Sequence, residues 1–251
     1  MSLSKNKISY ITSLKEKKFR NQHKTFVAEG SKLIFDLIQN TKCKLLVLSE
    51  DLTVNIPNIE AEETIVGSKS QIKKASHLAT PPDAIAVFYQ NINDYTKTDY
   101  SHKLNLMLDE IQDPGNLGTI IRIADWFGIE NIFCSYNTVD VYNTKTVQAT
   151  MGALSRVKVH YVDIVDIINK NPNSPIYGTF LDGKNIYQET LSNDGFIVMG
   201  NEGKGINPEI EQLVTNRLYI PNFSTNINTS ESLNVAVATA VVCSEFRRRY
   251  E

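Results

Sequence analysis

Beyond residue 104 the chain alternates short apolar runs with longer segments of other character. LNLML (104–108), NIFCS (131–135), IYGTFL (176–181), FIVMG (196–200) and RLYIP (217–221) are strand-like, while 117–127 and 144–154 carry apolar residues at helical spacing. Strands joined by helix-length connections cannot pair as hairpins, and their crossovers line them up in a parallel sheet covered on both faces. The expected fold class is therefore α/β. Upstream lies a smaller module of the same kind. FVAEGSKLIFDLI (26–38) has helical spacing at Leu33, Phe35 to Leu37 and Ile38, and LLVLS (45–49) and AIAVF (84–88) read as buried strands. Residues 89–103 are polar and without apolar period, as a linker would be. The expected division is a first domain over 1–98 and a second over 104–251. The last segment, 233–246 (LNVAVATAVVCSEF), is apolar nearly all round, which predicts a fully buried helix with Arg247, Arg248 and Arg249 exposed beyond it.

Charge narrows the function classes only when it is divided. The 251 residues hold 26 Lys and Arg against 28 Asp and Glu, and this balance alone speaks against a polyanion partner. Residues 1–24, however, hold seven basic groups (Lys5, Lys7, Lys15, Lys17, Lys18, Arg20, Lys24) against Glu16 alone. A basic arm of this kind is where phosphate contacts are expected, with Lys5, Lys7, Lys17, Lys18, Arg20 and Lys24 as the candidates. Tyr10, Phe19 and Phe26 lie nearby as possible stacking partners for bases, Phe19 and Phe26 being better read as core. The three cysteines and four histidines are scattered, which fits reduced thiols and offers no sequence-local metal site. No stretch approaches eighteen apolar residues, so the expectation is a soluble cytoplasmic protein.

Three stretches carry chemistry. In LDEIQDPGNLGTIIRIADWFGIENI (108–132), Asp113 to Asn116 has turn chemistry, and Leu117, Ile120, Ile121, Ala124 and Phe127 share one helix face that Gly128 ends. Arg122 falls off that stripe, either as an ordinary surface arginine or aimed at the carboxyl end of the sheet, where open α/β proteins bind ligands. Asn116 is placed as a helix cap. In FIVMGNEGKGINPEI (196–210) a strand runs into glycines spaced unlike a Walker loop, with a helix beginning near Pro208. In RLYIPNFSTNINTSESLNVAVATAVV (217–242) a polar loop leads into the apolar helix, which Ser230 or Ser232 can cap. Asn234, polar in the first turn of that helix, either caps its own backbone or serves a site.

Taken together and in this order, DPGNLGTIIRIADWFGI, VMGNEGKGI and IP…SESLNVAVA resemble the three motifs of the SpoU/TrmH branch of the SPOUT RNA methyltransferases. KFRNQHKTFVAEGSKLIFDLI resembles the substrate-binding module that many members carry ahead of the catalytic domain. Loop 222–231 is longer than most members have, and richer in Asn and Thr.

The resemblance implies a C-terminal domain threaded into a deep trefoil knot, S-adenosylmethionine as methyl donor, no metal, and a homodimer with the active site at the interface. It implies that Gly200, Gly203, Ile220 and Leu233 contact the donor. It places Asn116, Arg122, Glu202, Ser232 and Asn234 at the reacting ribose, with Arg122 as base or as electrostatic stabiliser. The implied reaction is methyl transfer to a ribose 2′-hydroxyl of structured RNA, large-subunit rRNA first and tRNA as the alternative. Two other readings stand beside it: an inactive RNA-binding or ribosome-assembly factor on the same fold, and an unrelated nucleotide-using α/β enzyme, for which the glycine signals are weak.

Overall fold

A stretch of unbroken apolar residues makes a strand wherever both faces of a sheet are covered, and this rule accounts for most of the architecture. The computed structural model describes residues 3–52, 60–91, 93–224 and 232–249. Its first elements are α1 (Lys5–Ser13), α2 (Lys17–His23), β1 (Thr25–Glu29), α3 (Ser31–Leu37), β2 (Cys43–Ser49), β3 (Thr64–Gly67), α4 (Lys69–Ala75) and β4 (Ala84–Tyr89). The strands form a four-stranded sheet in the order β1-β4-β2-β3. β1 corrects the sequence reading of 26–38. All five of its residues are buried, and Gly30, at φ +97°, turns the chain into α3. The basic arm is likewise no free tail, since Ile11 and Leu14 at the end of α1 belong to this unit's core and Phe19 packs against it.

The chain continues through β5 (Leu104–Leu108), α5 (Pro114–Trp126), β6 (Asn131–Cys134), α6 (Thr144–Thr150), β7 (Lys158–Tyr161), α7 (Ile164–Asn169), β8 (Ile176–Asn185), β9 (Gly195–Met199), α8 (Pro208–Glu211), β10 (Asn216–Tyr219) and α9 (Val235–Arg248). Six of these strands make an all-parallel sheet, β10-β8-β9-β5-β6-β7. The α/β fold with a parallel sheet is as expected. Contacts divide the chain into two units, and the first takes in Asp140–Arg156, α6 included, along with residues up to 92. Tyr142 stacks on Phe26 at 4.7 Å between ring centroids, and Gln148 Nε2 donates to the Glu29 carbonyl at 3.1 Å. This differs from a single division near residue 100. The expected linker also differs: Tyr95 and Tyr100 are packed against the second unit's core, Tyr100 edge-on to Phe133 at 5.1 Å.

Two helices flank the future site. α5 starts at Asp113, whose carboxylate accepts the Asn116 N–H at 2.8 Å, with Pro114 in the first turn where its missing N–H costs nothing. Its apolar stripe Leu117, Ile120, Ile121 and Ala124 is fully buried. α9 packs against α5 and buries Val235, Ala236, Thr239, Val242, Cys243 and Phe246. It is not buried all round as predicted: Val237 is 51 % exposed, and Ser244 also faces outward. The three arginines at its end also differ from expectation, since only Arg248 is exposed. Arg247 Nε donates to the Phe127 carbonyl at 2.8 Å, closing the end of α5.

His160, in the edge strand β7, is 2 % exposed and stacked on Phe133, its Nε2 3.5 Å from Asn131 Oδ1 and its Nδ1 without a hydrogen-bond partner among the described residues. Burial pushes its pKa below the ordinary 6.5, as it does for His77 in the first unit. As pH falls through 6.5 the unfolded chain therefore takes up protons that the folded chain refuses, and stability declines. The expected result is a lower urea midpoint at pH 5.5 than at 7.5, each such group contributing at most about 1.4 kcal/mol per pH unit. His160→Gln should shrink that step; an unchanged midpoint across the range refutes the assignment.

Candidate active site

The carboxyl end of the parallel sheet gathers the loops after β5, β6 and β9. After β5, the buried Asp109 carboxylate accepts the Asn207 N–H at 2.8 Å, and burial raises its pKa. After β9 the chain closes a tight turn, with Asn201 and Gly205 exchanging two backbone hydrogen bonds of 2.9 Å. A side chain at Gly200 would lie 2.4–2.6 Å from the backbone of Gly205 and Ile206, so only glycine permits this turn. Asn201 Oδ1 accepts the N–H groups of Gly203 and Lys204 at 2.9 and 3.0 Å, which presents Glu202 at the tip.

Three of the predicted residues meet there. Asn116 Nδ2 donates to Glu202 Oε1 at 2.7 Å, and Asn234 Nδ2 donates to Asn116 Oδ1 at 3.0 Å. Asn234 is itself the cap of α9, its Oδ1 accepting from Ala236 and Val237 at 3.0 and 3.3 Å. Asn234 thus caps α9, as one of its two readings expected, and also donates to Asn116. Because its oxygen is occupied by backbone N–H groups, its NH2 must point away from the helix, and this sets which end of Asn116 faces Glu202. The chain of amides has one direction. Ser232 does not cap α9; it is exposed two residues before the cap, and Ser230 lies outside the described residues, as does 225–231 of the long loop.

Arg122 is exposed and, among the described residues, makes no hydrogen bond or ion pair. Six positions from Asn116, it points about 120° away around the helix. One copy of the chain thus brings Asn116, Glu202 and Asn234 together and leaves Arg122 outside the cluster. Of the predicted donor contacts, Gly200 and Ile220 are half-buried, and Gly203 and Leu233 are exposed.

The basic arm divides. Lys5, Lys17, Lys18 and Lys24 are exposed, and Lys7 pairs with Glu63. Arg20 must be corrected: it is 2 % exposed, with Asp140 at 2.7 Å, and cannot reach a phosphate. Glu110 and Asn201 were not among the candidate site residues; the only signal was that Asn201 falls within the second motif and Glu110 within the stretch that carries the first.

Residues 103–244 match the SpoU rRNA methylase family, and residues 5–86 match the MRM3-like substrate binding domain. The 23S rRNA (guanosine(2553)-2′-O)-methyltransferase RlmP of Bacillus subtilis is 28 % identical over 98 % of both chains. Among solved structures, a TrmH-family protein from Porphyromonas gingivalis superimposes with a TM-score of 0.88 at 38 % identity, covering 98 % of this chain and 99 % of that one. An AdoMet-bound rRNA methyltransferase from Sinorhizobium meliloti gives 0.85 at 27 % identity, covering 100 % and 97 %. The strand-end turn that admits only glycine, the directed Asn234–Asn116–Glu202 chain and the match across 103–244 lead to one assignment: the chain belongs to the SpoU rRNA methylase family.

Proposed function

We propose that this protein transfers a methyl group from S-adenosylmethionine to a ribose 2′-hydroxyl of structured RNA, with large-subunit rRNA as the substrate class. The observation that carries the reading is the Asn234–Asn116–Glu202 chain, built from residues up to 118 positions apart and ending on a carboxylate at the crest of the sheet. The Gly200 turn, closed so tightly on Gly205 and Ile206 that no side chain fits, leaves bare backbone at the carboxyl end of the sheet, where Gly200, Gly203, Ile220 and Leu233 would hold the donor. Bound, the donor supplies an electrophilic methyl group. The residues must do the rest: hold the hydroxyl in line, take up its charge as the proton leaves, and keep water out. Glu202, oriented through Asn116, is placed to hold the ribose. A guanidinium is too weak an acid to serve as a general base, so Arg122 acts by anchoring a substrate phosphate and stabilising the developing alkoxide.

The reading includes a homodimer. In one copy Glu202, Asn234 and Arg122 all stand in solvent, whereas methyl transfer needs a closed site. The neighbouring helices α5 and α9 run side by side and expose Val237 near one end and Trp126 (85 %) at the other, apolar side chains that a second copy would cover as it closes the site and brings Arg122 to it. Trp126→Glu is expected to convert a dimer to a monomer in sedimentation and to abolish methyl transfer. A fully active monomer overturns the dimeric site. The trefoil knot belongs to the same proposal, supported by α9 packing back on α5 beneath a sheet whose order does not follow the chain.

The test is transfer of a tritiated methyl group from labelled donor to total RNA followed by nucleoside analysis, with a 2′-O-methylnucleoside from large-subunit rRNA expected. Methylation of a base nitrogen refutes the ribose claim, and product in the tRNA fraction alone moves the substrate to tRNA. If calorimetry finds no donor binding, the inactive RNA-binding scaffold replaces the enzyme.

A further inference from the structure

Glu110 links the loops on both sides of the central strand. It follows β5, which lies between β9 and β6 in the sheet. Its carboxylate accepts from Asn137 Nδ2 at 2.9 Å, in the loop after β6, and faces Lys204 Nζ at 3.5 Å, in the turn after β9. Its backbone is held as firmly. The N–H donates to Ser135 Oγ at 2.9 Å, and the carbonyl accepts from Asn201 Nδ2 at 2.8 Å.

These contacts are made at φ +55°, a conformation that disfavours a residue with a Cβ and suits glycine. Strained backbone of this kind persists where its surroundings over-determine it, and it gathers at functional sites. Stability does not explain the choice of glutamate. Lys204 is 76 % exposed, and a pair so open to solvent contributes little to folding. The contacts lead instead to the site. Asn201 grips Glu110 with one end of its amide and the N–H groups of Gly203 and Lys204 with the other, and Glu202 lies between those anchors.

We propose that Glu110 is a positioning residue for methyl transfer: through Lys204 and Asn201 it holds the turn that sets Glu202 against Asn116, and through Asn137 it braces that turn on the loop after β6. Asn137 and Lys204 also hold its carboxyl below the usual carboxylate range, keeping the charge that faces Lys204. The inference rests on the methyltransferase reading, and its test separates the two.

The informative variant is Glu110→Gly, which removes the carboxylate while relieving the backbone. In the full-length protein it should leave Tm unchanged or raised, lower kcat about tenfold or more, and leave KM for the donor within about twofold. Exchange of the Gly203 and Lys204 amides should be faster than in the wild type. Glu110→Gln, which keeps an acceptor for Asn137 but not the charge, should fall between the two. Wild-type kcat and unchanged exchange in Glu110→Gly overturn the proposal, as does a loss of activity matched by a loss of Tm. A wild-type protein that methylates no RNA refutes the methyltransferase reading, whereas the amide exchange still reports on the brace itself.

Discussion

Arg122→Ala should eliminate methyl transfer and leave both the fold and donor binding in place. The side chain lies off the buried stripe of α5 and is bonded to none of the described residues, so its truncation should change stability by no more than about 0.5 kcal/mol. In the proposed site it supplies a fixed positive charge where negative charge would develop on the ribose oxygen. Removing one such stabilising group costs about a hundredfold to a thousandfold in kcat. Loss of a phosphate anchor deepens the effect, because a hydroxyl held out of line scarcely reacts. Arg122→Lys refines the result. It keeps the charge but not the planar fork, so partial activity with a raised KM for RNA is expected. The measurements are single-turnover transfer from labelled donor, calorimetry of donor binding and thermal unfolding. Full activity in Arg122→Ala removes the residue from its role, and lost donor binding moves it to the donor pocket.

Asn234 explains why part of this site was visible in the sequence and part was not. A polar residue opening an apolar helix is conspicuous, and its two candidate roles followed from the chemistry of an amide. That the capping amide also donates to Asn116, 118 positions earlier, was not legible, because no spacing rule spans such a distance. Grouping Asn116, Glu202 and Asn234 therefore needed the family resemblance, while their contacts needed coordinates. The parallel sheet was legible because its strands are continuous apolar runs of the kind that buried strands must be. β1 was not, because Phe26 to Ala28 merges with the apolar residues of α3 and the glycine between them carries no period. The one-sidedness of α9 was hidden for a related reason: Val237 and Val241 on its open face are as apolar as Val235 and Val242 on its buried face. An open face and a core-facing face of one helix can carry the same residue types.

Arg20 shows the opposite confusion, and its replacement is expected to give the largest loss of stability among the basic residues of α1 and α2. Its guanidinium donates to Asp140 Oδ2 at 2.7 and 3.2 Å, to the Leu14 carbonyl at 2.9 Å and to the Lys15 carbonyl at 2.6 Å. Those carbonyls belong to the cap of α1 and the residue after it, where no helical N–H follows to satisfy them. Arg20→Ala would leave them and the Oδ2 of a largely buried carboxylate without a donor, with the Tyr142 N–H remaining on its Oδ1. Breaking such a pair from one side costs about 3–5 kcal/mol, or roughly 6–20 °C in Tm for a chain of this length. Asp140→Asn, which keeps the shape and loses the charge, should cost less. Lys17→Ala and Lys18→Ala, on exposed positions of α2, should leave Tm unchanged and instead weaken RNA binding, each lowering its salt slope by about one. Deleting the whole arm cannot make this distinction, because it would also take Ile11 and Leu14 out of the core. The comparison is thermal unfolding against RNA affinity titrated over salt. If Arg20→Ala unfolds at the wild-type temperature and loses RNA affinity as Lys18→Ala does, the guanidinium faces phosphate and the buried pair with Asp140 is refuted.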